Sequence, residues 1–278
     1  MAAFGEVTDD LGRIGEAEVL IVRAKTKVTP ELMDKAPKLR FVIRGGVGVD
    51  TIDVPYAKTK GILVKNTPKA SAIAVAELAF ALMLAVPNKL IEGHNGMLRG
   101  EFLKAELKRT ELFGKTLCLL GAGNIAMEVA KRAAAFGMTV LAYDPYKTDA
   151  TPATLVKDLK EGVAKADYIS IHTPKTPETV GMVNADLLAV AKKGVVVINT
   201  GRGDVVNAKD MDAALTEGKV AAYATDVWPS DPPPPDYPLL KNPKVVMMPH
   251  LGASTKENLA RIGNEVVELL TDYTKGRN

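Results

Sequence analysis

The stretch Gly114-Lys-Thr-Leu-Cys-Leu-Leu-Gly-Ala-Gly-Asn-Ile-Ala126, with the acid Asp144 that follows it, decides the fold of this chain. Thr116 to Leu120 is an apolar run of strand length, and Ile125, Val129, Ala133 and Phe136 then recur at the spacing of one buried helix face. The chain passes from strand to helix through Gly121-x-Gly123-x-x-Ala126. Gly121 permits the tight turn, Gly123 lets backbone approach a pyrophosphate, and the small Ala126 lets helix and strand pack closely. Amide groups at a helix start also face phosphates favourably. A second strand, Thr139 to Tyr143, ends on Asp144, 23 residues beyond Gly121. An acid at that distance accepts hydrogen bonds from a ribose diol and repels an extra 2′-phosphate. An ordinary βαβ turn can hold the same glycines, but the strand, the helix and the acid together favour a dinucleotide site, with NAD as the expected cofactor.

Outward from that unit, apolar strands are expected at Glu18 to Arg23, Arg40 to Arg44, Gly61 to Lys65, Tyr168 to Ile171, Val195 to Asn199, Val220 to Thr225 and Val245 to Met248. Helices are expected at Thr29 to Ala36, Leu155 to Ala164, Ala185 to Lys193 and Ala208 to Glu217. This alternation argues mostly parallel sheets covered on both faces. A helix opening at Ser71 is apolar nearly all round, so it is buried within the molecule or against a second subunit. Pro87 ends or kinks it, and the segment up to Leu112 reads as more polar, with Lys104, Lys108 and Arg109 on a solvated face. The last helix begins at Ser254-Thr-Lys-Glu257, which has capping-box spacing. Leu259, Ile262, Val266, Leu269 and Tyr273 form its apolar stripe.

A length of 278 residues suits two domains or one large α/β unit, and a net charge of +3 with 25% charged residues calls for neither nucleic acid nor an anionic membrane. Cys118, the one cysteine, lies in an apolar strand and reads as a small buried hydrophobe. The start carries no apolar signal core. The longest hydrophobic passage, Ala72 to Val86, contains Glu77 and falls short of the ~20 residues a membrane span needs. A soluble, cytoplasmic protein without a metal centre is expected.

In open α/β sheets ligands bind beyond the carboxyl ends of strands. There the chain places His172-Thr173-Pro174, Asn199-Thr200-Gly201-Arg202-Gly203, Asp226-Val-Trp228 with Asp231, and Pro249-His250-Leu-Gly252. An arginine, carboxylates and histidines on one rim suit hydride transfer coupled to proton transfer. A second glycine loop, Gly45-Gly46-Val47-Gly48-Val49-Asp50, also follows a strand. Asp50 would put negative charge among phosphates, so this loop reads as an anion nest for substrate, or as a plain tight turn.

These motifs, together with Arg44-Gly-Gly-Val-Gly-Val-Asp50, Ala74-Val-Ala-Glu77, His172-Thr-Pro-Lys-Thr-Pro-Glu-Thr179 and Pro249-His-Leu-Gly-Ala-Ser-Thr255, follow the order seen in D-isomer-specific 2-hydroxyacid dehydrogenases. The chain resembles that family from about Glu18 to about Gly276, and within it the short D-3-phosphoglycerate dehydrogenases. The resemblance implies a Rossmann NAD-binding domain, 70–252, and a smaller flavodoxin-like substrate domain, 1–69 with 253–278. The substrate domain is expected to be shortened at its amino terminus by one strand and helix. It implies a homodimer joined through the helix near Ser71 to Val86.

Position by position, the resemblance gives Arg202 the substrate carboxylate and keto oxygen, His250 the C2 hydroxyl proton, and Asp231 the task of orienting His250. Asp231 is one methylene shorter than the family's usual glutamate, so it is expected to reach His250 only if its loop, shaped by Pro229 and Pro232 to Pro235, moves inward. Cofactor contacts are expected from Gly121, Gly123, Asn124, Ile125, Asp144, His172, Thr173, Pro174, Thr200, Asp226 and Gly252. Substrate contacts are expected from Arg202, Val47 and Gly48, with Arg23 and Arg44 near a phosphate. The implied reaction is NAD-dependent oxidation of a D-2-hydroxy acid, foremost 3-phospho-D-glycerate. Glyoxylate or hydroxypyruvate reduction is the alternative, and a non-catalytic NAD-sensing corepressor-like protein is the rival of another class.

Overall fold

The computed structural model describes residues 2–276 and divides into two compact units, Met1–Ser71 with Ala253–Asn278, and Ala72–Gly252. In the first unit, β1 (Val19–Val22), α1 (Pro30–Asp34), β2 (Phe41–Arg44), α2 (Val54–Thr59) and β3 (Leu63–Asn66) follow one another. The strands form a parallel sheet in the order β1-β2-β3. Val22, Arg44 and Asn66 share one register at its carboxyl edge. Helix α2 is not evident from hydrophobic spacing. Its start is written in capping chemistry, since the Asp53 side chain accepts from the Tyr56 amide and Pro55 occupies the first turn.

The second unit begins with α3 (Ala72–Ala85) and α4 (Leu90–Leu98). Strand β4 (Thr116–Leu120) and helix α5 (Asn124–Ala135) follow, then β5 (Thr139–Tyr143), β6 (Thr154–Leu155) and α6 (Leu159–Lys165). Next come β7 (Tyr168–Ile171), α7 (Ala185–Val190), β8 (Val195–Asn199), α8 (Ala208–Thr216), β9 (Val220–Thr225) and β10 (Val245–Met247). Their parallel sheet has the order β10-β9-β8-β7-β4-β5-β6. The chain runs outward from β4 to β6 and then restarts beside β4 at β7. The topological switch therefore lies between β4 and β7, where open sheets bind ligands. Buried alanines at 76 and 79 of α3 and at 126, 130 and 133 of α5 let these helices pack closely on the sheet. Cys118 is fully buried among the core residues of the opposite face, and burial pushes its thiol up to about 12.

The chain then returns to the first unit as α9 (Lys256–Lys275). Ile262, Val266 and Leu270 bury against Phe41 and Ile43 of β2, and the Tyr273 ring lies 4.8 Å from that of Phe41. Helices thus cover both faces of the smaller sheet, and both units are α/β.

Several local expectations are corrected. The cap of α9 is Thr255, whose hydroxyl accepts from the Asn258 amide, so Ser254 does not open a capping box. Leu259 is 46% exposed, outside the stripe that carries Ile262 and Val266. Thr154 and Leu155 join the sheet edge beside β5, and α6 starts only after Asp158, which caps Glu161. Phe136 lies past the end of α5, 45% exposed, with one edge on the Phe80 ring. After Pro87 the helical path bends by 62° and resumes as α4, where Lys89 takes a left-handed φ of 56°. That segment is not simply polar, because Leu90, Ile91, Met97, Leu98 and Phe102 are all exposed. Among the described residues no single helix is long and apolar enough to cross a membrane.

Candidate active site

The glycine loop closes the switch point. Gly121 has φ +96°, a left-handed value that favours glycine, and a β-carbon there would stand 3.1 Å from the His172 carbonyl group. The loops after β4 and β7 therefore meet backbone to backbone. Helix α5 starts at Gly123 with no side-chain cap, and the space over Gly123 is open. The first-turn region holding Asn124 and Ile125 thus begins at a helix end with a positive dipole. Asp144 accepts from the Ala122 amide at 2.9 Å and from the Tyr146 amide at 3.0 Å. These bonds set its carboxylate beside the loop, and a carboxylate retains further acceptor sites.

At the ends of β7 and β8, His172 Nδ1, Thr173 Oγ1 and Thr200 Oγ1 are buried and without a hydrogen-bond partner. Buried polar atoms usually have one. His172 Nε2 is taken by Ser170 Oγ at 2.8 Å, and burial lowers the imidazole to about 4, so it is neutral near pH 7. The Pro174 carbonyl accepts from Thr179 Oγ1. The open glycine, the uncapped helix, the placed acid and the unsatisfied edge atoms together fit a dinucleotide.

The loop after β9 grips the turn after β10 at three points. Asp226, 1% exposed, accepts the Leu251 and Gly252 amides, one on each carboxylate oxygen, both at 2.7 Å. Trp228 Nε1 donates to the Met248 carbonyl at 2.9 Å. Asp231 Oδ2 lies 2.5 Å from His250 Nδ1. The aspartate therefore spans the distance for which the family's usual glutamate has an extra methylene. His250 has φ +58°, uncommon for a non-glycine residue, and bonds on both sides of it hold the strain. Burial pushes the Asp226 carboxyl upward, opposed by the two backbone amides and by His250. The Asp231–His250 pair is 54% and 43% exposed, so its use is orientation more than stability. Trp228 is a site residue that motif reading leaves without a task; its signal is being the one tryptophan, between two acids of one loop.

Arg202 follows β8 on the same carboxyl edge, half-buried, with Nη1 donating to the Gly201 carbonyl at 2.8 Å. In the other unit, Arg23 and Arg44 stand at the ends of neighbouring strands β1 and β2. Arg23 is exposed. Arg44 turns back over its own loop: Nη1 donates to the Gly45 carbonyl at 2.6 Å, and any side chain at Gly46 would collide with its guanidinium. Asn66 Nδ2 donates to the Val47 carbonyl at 2.5 Å, and Gly48 follows half-buried in that loop. Among the described residues no group of three or more His, Cys, Asp or Glu could hold a metal ion.

Residues 80–252 match the family described as D-isomer specific 2-hydroxyacid dehydrogenase, NAD binding domain. A D-3-phosphoglycerate dehydrogenase of Methanocaldococcus jannaschii is 42% identical over 96% of this chain and 51% of its own length. A hydroxypyruvate reductase of Thermotoga maritima is 43% identical over 92% of this chain and 84% of its own. The chain thus spans about half the length of the phosphoglycerate dehydrogenases it matches. A D-lactate dehydrogenase of Aquifex aeolicus, solved with NAD and lactic acid, aligns with a TM-score of 0.86 at 33% identity over 96% of this chain and 86% of that one. The glycine turn at the sheet's switch point and this likeness across nearly the whole chain lead to one assignment: the chain belongs to the D-isomer specific 2-hydroxyacid dehydrogenases, with NAD as cofactor.

Proposed function

We propose that the protein oxidises a D-2-hydroxy acid with NAD, and that the acid is 3-phospho-D-glycerate, giving 3-phosphohydroxypyruvate for serine synthesis. The observation that carries the reading is the 2.5 Å Asp231–His250 pair at the carboxyl edge of the sheet that bears the dinucleotide loop. With Nδ1 bonded to Asp231, His250 presents Nε2 to the C2 hydroxyl and accepts its proton as the C–O bond gains double-bond character. Bound NAD supplies the acceptor for the C2 hydride. Arg202 holds the substrate carboxylate with its planar fork of donors. Asp231 favours the imidazolium formed in the oxidation. In the reverse direction His250 returns the proton to the keto oxygen.

The cofactor contacts are assigned to Gly121, Gly123, Asn124 and Ile125 for the pyrophosphate, and to Asp144 for the ribose diol. His172, Thr173, Pro174, Thr200, Asp226 and Gly252 are assigned to the rest of the dinucleotide. Substrate binding in the smaller unit is assigned to Val47 and Gly48, with Arg23 and Arg44 for the phosphate. Asp231→Asn is expected to lower turnover and displace the pH optimum. A pH–rate profile superimposable on the wild type's would remove Asp231 from this role.

Reduction of hydroxypyruvate or glyoxylate is the second reading, supported by the Thermotoga maritima relative, 84% of whose length the chain matches. The two readings part at Arg23. Under the first, Arg23→Ala weakens use of phosphohydroxypyruvate at least about tenfold more than use of glyoxylate, as expected for a charged hydrogen bond to phosphate. Equal loss on both substrates would favour the second.

The homodimer is proposed through α3 and the segment after it. Ile73 on α3 is 41% exposed, and Leu90, Ile91, Met97, Leu98 and Phe102 add an apolar surface. Size determination at micromolar protein is expected to give a dimer, and a monomer alone would contradict it.

A further inference from the structure

We infer that Asn199 is a positioning residue for Arg202, setting the turn from which that side chain reaches the substrate. The inference rests on the reading of Arg202 as the carboxylate-binding group. Asn199 is the last residue of β8 and is 0% exposed. Its Oδ1 accepts the Gly201 amide at 3.0 Å, and its Nδ2 donates to the Arg202 carbonyl at 3.0 Å. One side chain thus holds the backbone on both sides of the Gly201–Arg202 peptide. These partners, an amide hydrogen and a carbonyl oxygen, permit only one orientation of the Asn199 amide.

The amide is anchored in turn. Its second N–H donates to the Tyr223 hydroxyl at 3.0 Å, and Tyr223 on β9 is 2% exposed. The Asn199 carbonyl accepts from the Asp226 amide at 3.0 Å, next to the carboxylate that grips the turn of His250. A rigid network of this kind transmits position, because buried polar groups that lose their partners are costly and the turn must move to satisfy them. Loss of Asn199 therefore leaves the guanidinium present but displaced, and a misplacement of about 1 Å costs on the order of 100-fold in rate.

The test is steady-state kinetics on the full chain with phosphohydroxypyruvate and NADH, beside NADH titration, for Asn199→Ala, Asn199→Asp, Tyr223→Phe and Arg202→Gln. Asn199→Asp keeps the acceptor for Gly201 and lets the Tyr223 hydroxyl donate, but it sets a carboxylate oxygen against the Arg202 carbonyl, so the bond there becomes a repulsion beside a buried charge. Asn199→Ala is expected to raise KM by roughly 10- to 100-fold with the NADH Kd within about twofold of wild type. Tyr223→Phe, which removes only the outer bond, is expected to shift KM the same way by less, which keeps the test readable if the alanine variant folds poorly, and Asn199→Asp is expected to shift it at least as far as alanine. An unchanged KM in Asn199→Asp and Tyr223→Phe, with KM raised in Arg202→Gln, would overturn the inference alone. NADH affinity falling in step with KM would also overturn it, since that is the mark of a merely structural role. An unchanged KM in Arg202→Gln would overturn the reading of Arg202 and the inference with it.

Discussion

His250→Asn is expected to lower kcat by about 10²- to 10⁴-fold while the NADH Kd stays within about twofold of wild type. Asparagine is the informative replacement because of the backbone. His250 has φ +58°, and asparagine is among the few non-glycine residues that tolerate the left-handed region. The grips on this turn from Asp226 and Trp228, and the Met248 amide's bond to the Thr225 carbonyl, do not use the imidazole. The turn should survive the change, so the loss reports proton transfer. Asp231 gains nothing from the replacement, because it has no imidazolium left to favour. A kcat within about threefold of wild type would remove His250 from proton transfer, since a general acid/base contributes far more.

Arg202→Lys, which keeps the charge, is expected to lower kcat/KM by on the order of 100-fold, chiefly through KM. A guanidinium offers two parallel N–H bonds to a carboxylate, and an ammonium offers a compact charge without that fork. Full activity with lysine would show that charge alone suffices, and the planar recognition assigned to Arg202 would fail. The comparison also separates substrate from cofactor effects, because NADH affinity is expected to be unchanged.

The dinucleotide unit was legible because each of its parts has a local cause. A buried strand reads as an apolar run, the glycine turn is a backbone requirement, and Asp144 follows from strand length. The sheet containing it was equally open to sequence reading, since its parallel strands are buried on both faces and stand out as unbroken apolar segments. The candidate site was read from residue identities at strand ends, but the bonds that lock those residues were not legible. Asp226 reads as a cofactor contact, and nothing in the sequence shows that its two oxygens also hold the amides that follow His250. That pairing joins residues 25 and 26 positions apart through a turn whose geometry no spacing encodes. Arg44 reads as a phosphate ligand by position, and only the loop's path shows its guanidinium folded over Gly46. The bend at Lys89 was signalled by Pro87, but the face that Leu90 and Leu98 present depends on how α4 leaves that bend.

The most direct measurement of the central claim follows NADH oxidation by the full chain with phosphohydroxypyruvate, hydroxypyruvate, glyoxylate and pyruvate in parallel. The account predicts turnover, with phosphohydroxypyruvate giving the highest kcat/KM. Absence of turnover with all four, in protein that binds NADH, would contradict it and favour a non-catalytic NAD-binding protein.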